Sequence, residues 1–141
     1  MCVNCKHKIL TSSEVGISGR LPAMRKFGFL GLSSVRVSGE SMSPTYSDGD
    51  ILLVKWLDGS STELALSSVV VIEREEMPGI LFIKRIQKSH SGAYWVEGDN
   101  EIASAEDRMN DSRRWGYVPA HEVRGRVLFR LKRSNERKLQ Q

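Results

Sequence analysis

Ser41 is the first residue whose surroundings suggest chemistry. It lies within Val37-Ser38-Gly39-Glu40-Ser41-Met42-Ser43-Pro44-Thr45. The glycine lets the chain pass close to another group without a Cβ, and the proline fixes its own φ. A serine held on such a backbone could be a nucleophile, although most Ser-x-x-Pro sequences are ordinary turns. The nucleophilic role needs a base elsewhere in the chain, because a serine hydroxyl reacts poorly until its proton is removed.

Lys84 is the candidate for that base. Side chains alternate along a strand, so Ile80, Phe82, Lys84 and Ile86 share one face of a predicted strand. A lysine on an apolar face usually extends its ammonium into water. If it is buried instead, desolvation disfavours the ammonium, and a neutral amine can accept the proton of a serine. The three histidines have no acidic partner presented in a turn, which gives a Ser-His-Asp triad little support.

The elements that must position these residues are short runs of β type. Turn clusters rich in glycine, aspartate and serine separate them, and no long segment has a helical period. This pattern predicts a mostly β fold, a coiled antiparallel sheet or partly open barrel with short flexible arms at both ends. Met77-Pro78-Gly79 predicts an antiparallel hairpin, in which Arg85 is a surface charge. The predicted strands are Ser34–Val37, Ile51–Trp56, Ser68–Glu73, Ile80–Gln87, Ala93–Glu97 and Val123–Lys132.

The length of 141 residues and the apolar fraction of 40% predict one domain with short arms. We expect a flexible arm over 1–26, the main domain over 27–132 and a charged tail over 133–141. The longest apolar run, Phe27 to Leu32, is too short to span a bilayer. The first residues lack the order of a secretory signal. We therefore expect no transmembrane helix, at most a weak membrane contact, and a cytoplasmic location, with membrane association as the alternative.

The net charge of +4 comes partly from the basic tail, which we interpret as a solvated terminus. No aromatic residues alternate with the basic ones, so we expect no nucleic-acid partner. Cys2 and Cys5 form a C-x-x-C next to His7. No second pair follows that would complete a zinc site, so we predict no metal and no cofactor. The role of the two cysteines stays open.

The order of the motifs resembles that of a known family. The run Ser41 to Thr45, followed by Gly49 to Lys55, resembles the serine box of the type I signal peptidase superfamily. Ile83 to Ile86 resembles its lysine box, and Gly98 to Asn100 with Asp111 to Pro119 resembles its last box. The resemblance extends from about Val35 to Phe129. Within the superfamily it points to the nickel-type superoxide dismutase maturation proteases, which remove an N-terminal leader.

The resemblance implies a role for each matching residue. Ser41 would be the nucleophile, its backbone N–H an oxyanion donor, and Lys84 the general base. Met42 belongs to the same serine box. Many relatives have a hydroxyl two residues before the nucleophile as a second oxyanion donor, but that position is Gly39 here. Asp111 and Arg113 would be a structural pair supporting the site, or else an ordinary surface ion pair.

The last box departs from the family in two ways. Glu101 to Asn110 is several residues longer than in typical relatives. The serine that usually stands two positions before Asp111 is Met109, so Ser104 or Ser112 would have to orient the lysine.

These features predict a Ser-Lys endopeptidase that removes a leader or signal peptide from a precursor protein, most specifically a nickel superoxide dismutase precursor. One alternative is a membrane-associated signal peptidase, or a processing peptidase of the mitochondrial inner-membrane type. An alternative of another class is a non-catalytic basic β-module or regulatory binding domain.

Overall fold

The computed structural model describes residues 9–10, 31–59, 63–102 and 104–135, with positions 9, 10, 106 and 107 described by their backbone only. Most of the predicted arm over 1–26, including Cys2 and Cys5, lies outside the described residues. Positions 136–141 of the predicted tail do as well.

The described part of the chain contains β1 (Ile9–Leu10), β2 (Leu32–Arg36), β3 (Ile51–Trp56), β4 (Val69–Glu73), β5 (Leu81–His90), β6 (Ala93–Glu97), α1 (Ala105–Arg108), α2 (Ser112–Trp115), β7 (Val118–Pro119) and β8 (Val123–Lys132). These eight described strands form one antiparallel sheet in the order β1-β2-β3-β8-β4-β5-β6-β7, which confirms the mostly β prediction. The described helices α1 and α2 are short, as is the one described 3-10 turn, Ala120–Glu122.

The predicted strands differ from the observed ones mainly at their ends. Strand β2 begins at Leu32 rather than Ser34, and it includes a buried serine, Ser33, whose hydroxyl accepts a hydrogen bond from the Trp56 indole. Strand β5 continues to His90, because its polar end pairs with β6. Ser91 and Gly92 between them have φ of 48° and 74°, as expected for the tight turn of a hairpin.

Strand β4 and the first part of β5 are buried on both faces, and this fixes the environment of Lys84. One core cluster includes Val70, Phe82 and Ile86, and a second cluster on the opposite face includes Val71 and Ile83. Both faces are covered, so the strand Val69–Glu73 reads as a continuous apolar run rather than an alternating one. The hairpin prediction is confirmed by the antiparallel pairing of β4 with β5.

A buried ion pair attaches the start of β8 to the end of β4. The Arg74 guanidinium donates to the carboxylate of Glu122, which also accepts the N–H of Glu75 at 3.1 Å. The same guanidinium lies 5.3 Å from the ring centre of Trp115, and that ring packs edge-on against Phe82. Arg74 and Glu122 are 8% and 5% exposed, so each charge depends on the other for compensation.

We expect Glu122→Ala to lower the free energy of unfolding by about 3–5 kcal/mol, because it removes the buried counter-ion of Arg74 and leaves only the exposed carboxylate of Glu76 at 3.9 Å. The measurement is urea unfolding followed by tryptophan fluorescence. The matched control is Glu75→Ala, since Glu75 pairs with His121 on the surface and its loss should change stability little. Equal losses for the two variants would contradict the assignment of the buried pair.

Candidate active site

Gly98 is the point at which Ser41 and Lys84 approach each other. The pairing of Arg85 with Glu97 places Gly98, the next residue, beside Lys84. A Cβ on Gly98 would lie 2.5 Å from the carbonyl oxygen of Ser41 and 3.5 Å from Lys84 Nζ. The fold therefore brings the serine and the lysine of the two sequence boxes to one place, although they are far apart in the chain.

Ser41 lies in the connection between β2 and β3, and its position is fixed by a closed set of backbone bonds. Gly49 N–H donates to the Val37 oxygen and Val37 N–H donates to the Asp50 oxygen, both at 2.8 Å. The side chain of Met42 is buried in the second core cluster and attaches the loop to the core. Ser41 itself is only 4% exposed.

Gly39 has a structural reason to be glycine. Its φ is 89°, in the left-handed region that residues with a Cβ rarely adopt. Its N–H donates to Asp48 Oδ1 at 2.8 Å, which fixes the approach to Ser41. With no side chain and with its N–H bound to Asp48, Gly39 contributes to the shape of the loop.

Lys84 is completely buried, with an exposure of 0%. It shares its face with Phe82 and Ile86, and both are buried in the first core cluster. Among the described residues, Nζ has no hydrogen-bond partner. Apolar side chains therefore surround the Lys84 amine and shield it from water.

Neither Ser104 nor Ser112 makes a hydrogen bond to Lys84 Nζ. Ser104 is exposed, and the Ser112 hydroxyl accepts the N–H of Val96 at 2.8 Å. The lysine is oriented instead by its place on a strand whose two faces are packed.

Arg85 corrects one expectation from the sequence, because it is not a free surface charge. Its guanidinium donates to both carboxylate oxygens of Asp99, at 2.8 and 2.7 Å, and to the Ser67 carbonyl oxygen. Alternation along β5 indicated that Arg85 and Lys84 point in opposite directions. It gave no information about the loop after β6, which curves back to meet the arginine.

Asp99 connects that loop to the serine box. It accepts the hydroxyl of Thr45 at 2.7 Å in addition to the two bonds from Arg85. Burial raises the pKa of Asp99, but the bonds from Arg85 and Thr45 outweigh burial and hold the pKa below its ordinary value. Asp99 is therefore an ionised carboxylate, and Lys84 lowers its pKa further whenever the lysine is protonated. Asp99 was part of a sequence box, but its partners could not be read from the sequence.

Asn100 completes the attachment of this loop to the nucleophile loop. Its backbone N–H donates to the Ser41 carbonyl oxygen at 3.0 Å, and its side-chain amide donates to the Glu40 oxygen at 2.9 Å. The three residues Gly98 to Asn100 thus contact both sequence boxes at once.

Asp111 and Arg113 form a local pair at the start of α2. Asp111 is completely buried, caps the helix by accepting the N–H of Arg113 at 2.9 Å, and binds the Arg113 guanidinium with both oxygens. The hydrogen bond to Asp111 raises the pKa of Arg113. Ser112 joins the helix to β6 through Val96. These bonds hold α2 against the sheet, and none of them reaches Lys84 Nζ.

Glu75, His121 and Glu122 are the one group among the described residues with ligand atoms close enough to hold a metal ion, within 4.8 Å of one another. Glu122 is already bound by Arg74, and the other two side chains are exposed. We interpret the group as an ion-pair cluster. In the described part of the chain, no helix has the length and apolar character needed to cross a membrane.

Comparison with known proteins bears on the family of the chain. A family model described as "Signal peptidase, peptidase S26" matches residues 23–88, a range that contains both Ser41 and Lys84. The chain is 29% identical to mitochondrial inner membrane protease subunit 1 of Xenopus tropicalis over 114 residues, covering 67% of this chain and 65% of the relative. It is 29% identical to the human protein of the same name over 117 residues, covering 69% and 68%. The chain thus spans about two thirds of the length of these relatives.

The family match and both relatives support the resemblance seen in the sequence boxes. The family is one of serine peptidases that act on precursor proteins with leader peptides. The match to the specific branch of nickel superoxide dismutase maturation proteases is not shown by these relatives. The matched range and the two relatives together support placing the chain with the type I signal peptidase superfamily.

Proposed function

We propose that the chain is a serine endopeptidase with a Ser41-Lys84 dyad that removes an N-terminal leader from a precursor protein, and that 27–132 is its peptidase domain. The observation that carries this proposal is the convergence at Gly98. The backbone carbonyl oxygen of Ser41 and the buried amine of Lys84 both lie within 3.5 Å of the position that a Cβ on Gly98 would occupy. A buried amine without a hydrogen-bond partner beside a fixed serine is an arrangement suited to acyl transfer.

The proposed reaction follows from these positions. Neutral Lys84 takes the proton of Ser41 as Oγ attacks the scissile carbonyl carbon, and the Ser41 N–H donates to the developing oxyanion. Protonated Lys84 then gives its proton to the leaving amine, so that the new N-terminus departs and an acyl-enzyme remains. Water hydrolyses the ester, with Lys84 again acting as base. The ionised carboxylate of Asp99 stabilises the ammonium that forms on Lys84 during the reaction. Arg85 is the counter-ion of Asp99.

Two kinds of precursor protein are candidates for the substrate that this chain cleaves. Both relatives are named as subunits of a mitochondrial inner membrane protease, which supports a processing peptidase of that type working with a partner chain at a membrane. The relatives give no support to a nickel superoxide dismutase precursor as client or to a cytoplasmic location. The motif resemblance alone supports that client, and the inner-membrane type fits at least equally well.

Co-expression with a nickel superoxide dismutase precursor, followed by mass spectrometry of the precursor's N-terminus, distinguishes the two clients. An unprocessed precursor would exclude that client and favour the membrane type, for which fractionation of the cell should place the chain with the membranes. A non-catalytic subunit or basic β-module would process no precursor under any of these conditions.

We expect Ser41→Ala and Lys84→Met each to reduce cleavage of a processed precursor by at least about 10³-fold, because each removes one half of the proton transfer that activates the nucleophile. The measurement is the initial rate of precursor processing, with circular dichroism to show that the fold persists. The control is Lys88→Met on the same strand, since Lys88 is exposed and lies over the ring of Trp95. Near-full activity of Lys84→Met would show that the dyad is wrong.

We expect Gly98→Ala to reduce kcat by about 10²-fold, because its Cβ would lie 2.5 Å from the Ser41 carbonyl oxygen and must push the nucleophile loop away. The backbone of Gly98 is not in the left-handed region, so the effect is purely steric. The control is Gly125→Ala, where a Cβ meets Val54 and Lys55 of β3 instead. That variant should lose stability, but the folded fraction should keep its activity. Equal activity losses per folded molecule in the two variants would contradict the role of Gly98.

A further inference from the structure

Asp50 is a buried carboxylate that the proposed reaction does not use. It lies at the end of the nucleophile loop, just before β3, and is 0% exposed. Its oxygens accept the N–H of Ser47 at 3.0 Å, the N–H of Ser134 at 2.7 Å and one guanidinium nitrogen of Arg130 at 3.0 Å. Burial raises the pKa of Asp50, but these three donors together lower it below its ordinary value, so the group is charged and fully bonded.

Arg130 extends this connection from the last strand to the loop that carries Ser41. The same nitrogen, Nη1, donates to Asp50 Oδ2 and to the backbone oxygen of Thr45, both at 3.0 Å. The guanidinium also lies 5.9 Å from the ring centre of Tyr46. One cation therefore fixes both ends of the segment between Thr45 and Asp50, and it does so from strand β8.

Thr45 connects Arg130 to the candidate active site through two hydrogen bonds. While its backbone oxygen accepts from Arg130, its hydroxyl donates to Asp99 Oδ2 at 2.7 Å. Asp99 lies between Gly98, which approaches Ser41 and Lys84, and Asn100, which donates to the Ser41 oxygen. The bonds thus run without interruption from the end of β8 to the backbone of the nucleophile.

The segment after β8 also packs against the loop that carries Ser41. A Cβ on Gly49 would lie 2.9 Å from the Cβ of Ser134, so the chain beyond β8 packs directly on the loop and leaves no space there. Because Ser134 N–H also binds Asp50, the first residues of the predicted tail are part of this contact.

We infer that Asp50 and Arg130 are positioning residues that hold the Ser41 loop, through Thr45 and Asp99, in the geometry needed for acylation. This inference rests on the proposed function. It assigns a role in the reaction to the end of β8, a strand that contributes no residue to the dyad. Loss of the Arg130 bonds should let Thr45 and Asp99 shift, and a displacement of about 1 Å at the nucleophile can slow a reaction by about 10²-fold.

The test measures Ser41 acylation with p-nitrophenyl acetate, an activated ester that needs no knowledge of the client. The serine oxygen bonds to the acetyl carbon, p-nitrophenolate leaves, and the burst of p-nitrophenolate gives the rate constant and the apparent affinity separately. Subtraction of the Ser41→Ala signal removes reaction at surface amines.

We expect Arg130→Ala to lower the acylation rate constant by about 10- to 100-fold with little change in apparent affinity. Arg130→Lys should restore most of the rate, because a single nitrogen makes both bonds to the loop. Asp50→Ala should not add its full effect to Arg130→Ala, since the two residues act through one contact. The matched control is Arg126→Ala, an exposed cation on the same strand, which should leave the rate unchanged.

Each outcome decides the question. A folded Arg130→Ala protein that acylates at the unaltered rate overturns this inference alone, as does an equal slowing in Arg126→Ala. If Arg130→Ala does not fold, Arg130→Gln is measured in its place and the same criteria hold. Absence of Ser41-dependent acylation in the unaltered chain overturns the proposed function, and this inference with it.

Discussion

The burial of the Lys84 amine is the constraint on which the rest of the candidate site depends. Lys84 lies where strand β5 is covered on both faces, and its side chain is completely buried. Strands β4 and β5 therefore do more than form a core. The apolar side chains around Lys84 exclude water from the nitrogen, which is the environment of the proposed base.

A buried amine is useful only if the serine reaches it, and this meeting depends on close backbone approach. Gly98 brings the loop after β6 within van der Waals contact of the Ser41 carbonyl, and Asn100 fixes that loop by bonding to the same carbonyl oxygen. The ion pair of Arg85 and Asp99 also stabilises this close approach of the two loops. Arg85 binds Asp99 with two hydrogen bonds, and Asp99 binds Thr45, so the serine box and the strand that carries the lysine are joined by an ion pair as well as by packing.

The family match and the geometry support different parts of the interpretation. The match to the signal peptidase family covers the serine and lysine boxes and supports the resemblance seen in the sequence. It stops at residue 88, before the loop that completes the site. The contacts of Gly98, Asp99 and Asn100 therefore come from the structure alone, and they show why the last sequence box lies where it does.

The sequence by itself determined the class of fold, most of the strands, and the two residues most suited to the proposed chemistry. Alternation along β5 placed Lys84 on the face of Phe82 and Ile86, because side-chain direction in a strand is a local property of the backbone. The tertiary structure alone decided that Arg85 binds Asp99, that Thr45 joins them, and that Arg130 and Asp50 secure the nucleophile loop from the last strand. These contacts join residues far apart in the chain. They depend on strand register and on how the sheet curves, and no local pattern of residues specifies either.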